Sequence, residues 1–336
     1  MFINNHNVSM SVAAWLASDE YDHNHNPNVI STTALLRPTK SLLLEKAIRE
    51  ASAIDPDNTE ELEVEITSMA PSRMGTAIHT AIENVWLHPN IKKTLSKLGY
   101  PESVVEHIEV NPSPYELTAD PDTIPVYMEI RGKKDILGFT VTGKYDFVIN
   151  GTLEDFKSTS TYSYIKQSNK DKFIKQGSIY RWLHPEVIKD DIMRIQYIFT
   201  DWSAGKAKQD PTYPASRVLS QEYPLLSLEE TEQFITARLN LLIQHANSDQ
   251  DAMPPCTPTE LWQDEPVHKY YKDPAKKARS TKNFVNYWEA HTRYVDDGSV
   301  GEIVTIPGNV VFCRYCPAVG ACNQAKSYID AGTLIL

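Results

Sequence analysis

The sequence predicts an α/β (α+β) fold: a central mixed sheet flanked by helices, then a helical C-terminal region holding a cysteine cluster. Three observations predict it. Between residues 72 and 202 the hydrophobic period runs helix, strands, helix, strand. Within that run, Asn150-Gly151 sits between alternating segments, the strongest short signal for a tight β-hairpin. Finally, three of the four cysteines, Cys313, Cys316 and Cys322, crowd together near the C-terminus.

The chain has 336 residues, enough for two domains or one large domain with an appendage. We divide it into an N-terminal extension (1–70), a core (71–205) and a C-terminal helical region with metal-binding cysteines (206–336). The extension contains a helix candidate at 41–52 and an acidic stretch at 55–65. A second helix begins near Ser72, where Ala77, Ile78, Ala81, Ile82, Val85 and Trp86 recur with a helical period. His79 and Glu83 lie four apart and project side by side from its edge. Strands are expected over 123–130 and 136–149, a helix over 170–183, a strand over 192–202 and an amphipathic helix over 226–247. No apolar run approaches the ~20 residues of a membrane span, and the N-terminus lacks the pattern of an export signal. The expectation is a soluble, unexported protein in the cytoplasm, without a membrane partner.

A net charge of −11 argues against a generic basic coat for nucleic acid. It leaves room for a local basic channel. Lysines cluster at 157–175 (Lys157, Lys166, Lys170, Lys172, Lys175) and again at 269–282. No phosphate-binding loop of the G-x-x-x-x-G-K-[ST] type is present, so no ATP motor is built in.

The hairpin fixes a register. With Asn150 and Gly151 as its two-residue loop, Ile149 faces Thr152, Asp146 lies opposite Asp155, and Lys144 lies opposite Lys157. The pleat then puts Lys144, Asp146, Val148, Leu153, Asp155 and Lys157 on one face. Tyr145, Phe147, Ile149 and Phe156 take the other, which packs. Like charges directly opposite each other destabilise a sheet, so something must offset the aspartate pair. A hard divalent cation held by carboxylates and water would do so. Lys157, on the same face, would then orient or help deprotonate a metal-bound water.

These residues resemble a known family. Gly143-Lys144-Tyr145-Asp146 followed by Asp155-Phe156-Lys157 resembles the PD-(D/E)xK nuclease motif, whose fold is restriction-endonuclease-like. Gly75-Thr76-Ala77-Ile78-His79 resembles the G-x-x-x-H helix of the RecB-like exonuclease subfamily, and Gln176-Gly177-Ser178-Ile179-Tyr180 its Q-x-x-x-Y helix. The resemblance covers about residues 72–202. It implies that His79, Asp146 and Asp155 are metal ligands for Mg²⁺ or Mn²⁺, and that Lys157 is the catalytic lysine. Gln176 and Tyr180 would hold the scissile strand or the active-site network, while Glu83 reads as a helix-surface or neighbouring residue. Lys166, Lys170, Lys172 and Lys175 could grip a phosphate backbone.

The cysteines form a second constellation. An unexported chain keeps its thiols reduced, and Cys313-x2-Cys316-x5-Cys322 with Cys256, 57 residues earlier, points to a four-thiolate metal site. The triplet resembles the C-terminal cluster of RecB-like nucleases that carry a [4Fe–4S] centre. Those relatives usually place the fourth cysteine before the G-x-x-x-H helix, where this chain has none, so Cys256 would serve. Four thiolates also suit Zn²⁺. The expected function is a metal-dependent DNA exonuclease acting on single- or double-stranded ends in recombination, repair or phage replication. A phage-encoded enzyme of this kind would work in the host cytoplasm, with a recombination or replication protein as partner. The alternatives are an endonuclease, a nucleic-acid-binding module that keeps the fold without cleaving, and a small-molecule metalloenzyme.

Overall fold

The structure, a computed structural model, describes residues 2–18, 26–54 and 63–336, so most of the acidic stretch at 55–65 lies outside the described residues. The chain divides into two compact units, Met1–Leu36 with Thr59–Leu239, and Arg37–Asn58 with Asn240–Leu336. The first 70 residues thus contribute to both. The principal helices are α1 (Thr39–Ile54), α2 (Ala70–Leu87), α3 (Lys170–Leu183), α4 (Leu228–Gln244), α5 (Tyr287–Asp296) and α6 (Asn323–Asp330). No helix among the described residues is long and apolar enough to cross a membrane.

The first unit is built on strands β1 (Val29–Ser31), β2 (Ile108–Val110), β3 (Ile124–Met128), β4 (Arg131–Ile136), β5 (Phe139–Lys144), β6 (Phe147–Ile149), β7 (Thr152–Thr159), β8 (Ile192–Phe199) and β9 (Val218–Pro224). Six of them form a central mixed sheet in the order β9-β8-β7-β6-β3-β2. β7 and β8 run parallel, as do β2 and β3, and the remaining neighbours are antiparallel. Helices flank this sheet, as the sequence predicts.

Both sheet faces are packed, which departs from the expectation that one face is left to the site. Val148, Leu153, Met193, Ile195 and Tyr197 are buried with Phe173 and Tyr180 of α3 on one side. Val126, Met128 and Phe147 are buried with Leu95, Val105 and Ile108 on the other. The parallel register aligns Leu153 with Met193, Asp155 with Ile195 and Lys157 with Tyr197. Asp155 and Lys157 therefore share the face that α3 covers, so α3 must bring polar groups to meet them. On α2, Ile78, Ile82 and Trp86 are half-buried, with Trp86 against Phe147 at 5.0 Å between rings. Ala77, Ala81 and Val85, expected on the same buried face, are exposed.

The hairpin has the expected register, Ile149 with Thr152, Val148 with Leu153 and Phe147 with Glu154. Asn150 (φ +47°) and Gly151 (φ +91°) both take the positive φ that its turn requires. Upstream, the single strand expected over 136–149 is two. β5 belongs to a separate sheet of order β1-β5-β4, and Lys144 lies opposite Arg131, not Lys157. The cause is a second tight turn at Leu137 (φ +52°) and Gly138 (φ +78°), which folds β5 back on β4. The chain then bends at Tyr145–Asp146 to enter the central sheet. That bend moves Tyr145 into the cluster with Val148 and Leu153, away from Phe147.

Gly143, in the first of the sequence motifs, lies where these layers meet. A Cβ there would sit 2.4 Å from Thr32 Oγ1 and 2.9 Å from both Leu183 Cδ1 and Tyr180 Cε1. Gly143→Ala is expected to lower stability by about 1–3 kcal/mol through overpacking, read as a drop in the thermal unfolding midpoint.

In the second unit, β10 (Val267–Tyr271), β11 (Lys282–Phe284) and β12 (Glu302–Ile306) form an antiparallel sheet with β10 at its centre. The C-terminal region is thus mixed where the sequence read as helical. Its strand-forming residues are short runs inside a basic segment, too brief to set a period.

Candidate active site

The chain bend at Asp146 creates the site. In place of a further ladder bond, Phe156 N–H donates to the Asp146 carboxylate at 2.9 Å. The side chain thus caps the end of the β6–β7 pair and is pinned beside Asp155. α2 crosses β7 at Gly75, where a Cβ would stand 3.2 Å from Ser158 Oγ. One turn on, His79 reaches the same strand, and its Nε2–H donates to the Phe156 carbonyl at 2.9 Å.

That bond makes Nε2 a donor, because a carbonyl can only accept, and it leaves Nδ1 facing Asp146 Oδ2 at 3.5 Å. A proton shared by this pair, or a cation in its place, would hold the two groups together. A metal-binding histidine commonly donates its other ring N–H to a backbone carbonyl in this way.

The third member of the group is Glu129. His79, Glu129 and Asp146 bring ligand atoms within 4.8 Å of one another, a set that could hold a metal ion. Glu129 is held at φ +56°, a strained conformation for a residue of its kind, with its N–H bonded to the Asp146 carbonyl at 3.2 Å. Lys144 forms a close ion pair with its carboxylate. Sequence reasoning missed Glu129. It follows the strand at 124–128 with no spacing that marks it, and only the β6–β3 pairing brings it to Asp146.

Asp155 stands apart from this trio. It is 1% exposed, and Lys157 Nζ lies 2.5 Å from its Oδ2. Gln176 Nε2 donates to its Oδ1 at 3.3 Å and to the Tyr180 hydroxyl at 3.0 Å. The structure thus joins Asp155, Lys157, Gln176 and Tyr180 in one buried network, with Asp146 linking it to His79 and Glu129.

The electrostatics follow from burial and from the aspartate pair. Burial, then the charge of Asp155, push Asp146 up to about 7, against the opposing pull of His79 and Lys157. For Lys157 burial alone would push the ammonium down. Asp155 and Asp146 outweigh it and hold the group above the usual lysine range. A cleft of about 610 Å³ opens onto Asp146, lined also by His79, Glu129, Lys144 and Gln176. Glu83 lines it too, one turn beyond His79, outside the trio.

The four lysines proposed from sequence as phosphate grips divide. Lys172 lies near the site, exposed at its surface, its ammonium pushed down by the protein around it and by the charge of Lys157. Lys166 and Lys170 are exposed, and Lys166 lies 5.9 Å from the Tyr162 ring. Lys175 is paired with Asp171 at 2.6 Å and lies over the Phe234 ring.

In the second unit all four cysteines line one pocket, with Lys40 and Ser41 of α1. Gln324 of α6 locks the Cys256 backbone, accepting from its N–H and donating to its carbonyl, each at 2.9 Å. Ser41 Oγ lies 3.3 Å from Cys316 Sγ. Burial, Glu260 and the other three thiols push Cys256 up to about 12. Burial, Cys316 and Cys322 push Cys313 up to about 11. A bound cation would draw the protons from Cys256 and Cys313. Zinc would draw the sulfurs to roughly 3.8 Å of one another, given its ~2.3 Å bonds.

No family model matches the sequence, and no curated protein matches it. Among solved structures, the chain is similar to SSO0001, with a TM-score of 0.37 and 14% identity, over 72% of this chain and 90% of that one. It is also similar to a phage-related exonuclease from Haemophilus somnus, with a TM-score of 0.24 and 15% identity, over 61% of this chain and 91% of that one.

Proposed function

We propose that the chain is a divalent-metal-dependent DNA nuclease that hydrolyses phosphodiester bonds, and that it acts as an exonuclease on DNA ends. The observation that carries this reading is the convergence of His79, Glu129 and Asp146 ligand atoms within 4.8 Å, with the Asp155–Lys157 pair behind. His79, Glu129 and Asp146 would hold Mg²⁺ or Mn²⁺, with Asp155 adjoining. The bound ion would lower the pKa of its water and offset charge developing on the phosphate. Lys157 would place a fixed positive charge beside that phosphate. Gln176 would hold the Asp155 carboxylate, and Tyr180 would hold Gln176. Exonuclease over endonuclease rests on the subfamily resemblance of the G-x-x-x-H and Q-x-x-x-Y helices, as do a role in recombination or repair and a phage origin.

The four thiols Cys256, Cys313, Cys316 and Cys322, lining one pocket, would hold a [4Fe–4S] cluster, with Zn²⁺ as the alternative. It would close the 57-residue span from Cys256 to Cys313 and brace the second unit around α1 and α6.

The test is digestion of end-labelled linear and covalently closed circular DNA with Mg²⁺ or Mn²⁺, using anaerobically purified protein. Loss of linear DNA with circles spared is the expected result. Cutting of circles would make the enzyme an endonuclease, and DNA binding without cleavage would make it a binding module.

Metal affinity should depend on pH. Asp146 titrates near 7 without metal, so below that pH the ion must displace a proton. Mn²⁺ affinity is expected to fall up to about tenfold per unit as pH drops below 7 and to level off above it. Calorimetric titration at several pH values checks this. Glu129→Gln is expected to weaken Mn²⁺ binding in the same titration, since it replaces a carboxylate of the trio by a neutral amide.

A further inference from the structure

The geometry points to a second nucleic-acid surface, in the C-terminal unit: the exposed Tyr287–Trp288 ridge of α5 and the basic turn before β11 bind single-stranded DNA. This rests on the nuclease reading for its substrate class but uses none of the cleft residues.

The charge is local. Residues 266–295 hold seven lysines and arginines against two acidic residues, in a chain whose net charge is −11. Within this segment Lys277 is tied to Glu302 at 2.6 Å and Lys272 to Asp297 at 3.6 Å. Lys276 is mostly in solvent, with Asp273 at 3.2 Å. No ion pair engages Arg279 or Lys282 among the described residues. β11 carries the chain from this turn straight to Asn286, whose side chain accepts from Trp288 N–H at 2.8 Å and starts α5. Basic and aromatic residues are therefore joined by a rigid strand and a capped helix.

The aromatic side is unburied. The inner face of α5 packs Ala290 and Tyr294 against Tyr270, Phe284 and Ile303. Outside it, Trp288 is 72% exposed, Val285 75% and Tyr287 44%. Tyr287, Trp288 and His291 touch one another, with ring centroids 5.8–6.2 Å apart. Each ring braces its neighbours, so a stacking surface exists before any ligand arrives. Lys282 Nζ lies 4.9 Å from the centre of the buried Phe284 ring, on the strand that leads to the ridge.

Rings beside cations suit a strand whose bases are open and whose phosphates are charged. A duplex hides its bases. An apolar protein partner would use the rings but leave the charge unanswered.

The experiment is anisotropy of a short fluorescein-labelled oligothymidylate with the full chain in EDTA, over a salt series. Trp288→Ala is expected to weaken binding about 5- to 100-fold, while Trp288→Phe keeps most of the affinity. Replacing Lys276, Arg279 and Lys282 together by Gln should flatten the slope of log affinity against log salt by about 2. Wild-type affinity in Trp288→Ala, or an unchanged slope in the triple variant, overturns the assignment. If either occurs while metal-dependent cleavage persists, the cleft reading stands alone. If the unaltered protein neither binds nor cleaves DNA, both fall.

Discussion

Lys157→Gln is expected to reduce cleavage by at least about 10²–10³-fold, the usual cost of losing one preorganised charge at a reacting oxyanion, with DNA binding in EDTA retained. Asp155→Asn should do the same, and the two should not multiply. Asp155 is 1% exposed and Lys157 is its close charge partner, so either substitution leaves the other charge buried and alone. Breaking such a pair from one side costs about 3–5 kcal/mol of stability when it is fully buried. Lys157 keeps a quarter of its side chain in solvent, so the cost here falls below that range. Changing both at once removes both charges. The double variant should therefore recover much of the stability that each single variant loses, while cleavage stays absent. Thermal unfolding beside single-turnover cleavage of linear DNA checks this. If stability and activity return together in the double variant, Lys157 is a structural counter-ion only.

Much of this site was legible in the sequence because it depends on short-range geometry. The Asn150-Gly151 turn dictates the hairpin register, and the register sets Asp155 and Lys157 on one face. Helical spacing sets Gln176 and Tyr180 one turn apart, and they do share a hydrogen bond. What was not legible depends on strand pairings distant in sequence. Glu129 reaches Asp146 because β3 pairs with β6, and Lys144 turns from Lys157 to Arg131 because β5 joins another sheet. A run of alternating residues shows that strands form, but not where one strand leaves a sheet. The association of α1 with the cysteines has the same origin. Ser41 and Cys316 are 275 residues apart, and no local pattern links them.

That long-range association leads to the second large effect. Cys316→Ser is expected to abolish stoichiometric iron and the absorbance near 400 nm, and to melt the second unit at a much lower temperature. The reasoning starts from its small core. Leu43, Leu44, Met253 and Ala318 form one buried cluster and Leu261, Val310, Cys313, Ala325 and Leu334 another, both flanked by cysteines. Cys256 and Cys313 are pushed up by burial and by neighbouring charge, so they give up their protons only to a bound cation, and ligand formation and folding of this region are coupled. Structural zinc in small domains contributes on the order of 10 kcal/mol to folding, and a cluster held by the same ligands should contribute comparably. Ser41→Ala is the informative companion. It keeps all four thiolates and removes the hydroxyl 3.3 Å from Cys316 Sγ, so iron should stay bound while the reduction potential shifts. Stoichiometric zinc in place of iron would overturn the cluster. A melting curve unchanged in Cys316→Ser would show that α1 and the C-terminal segment hold together by packing alone.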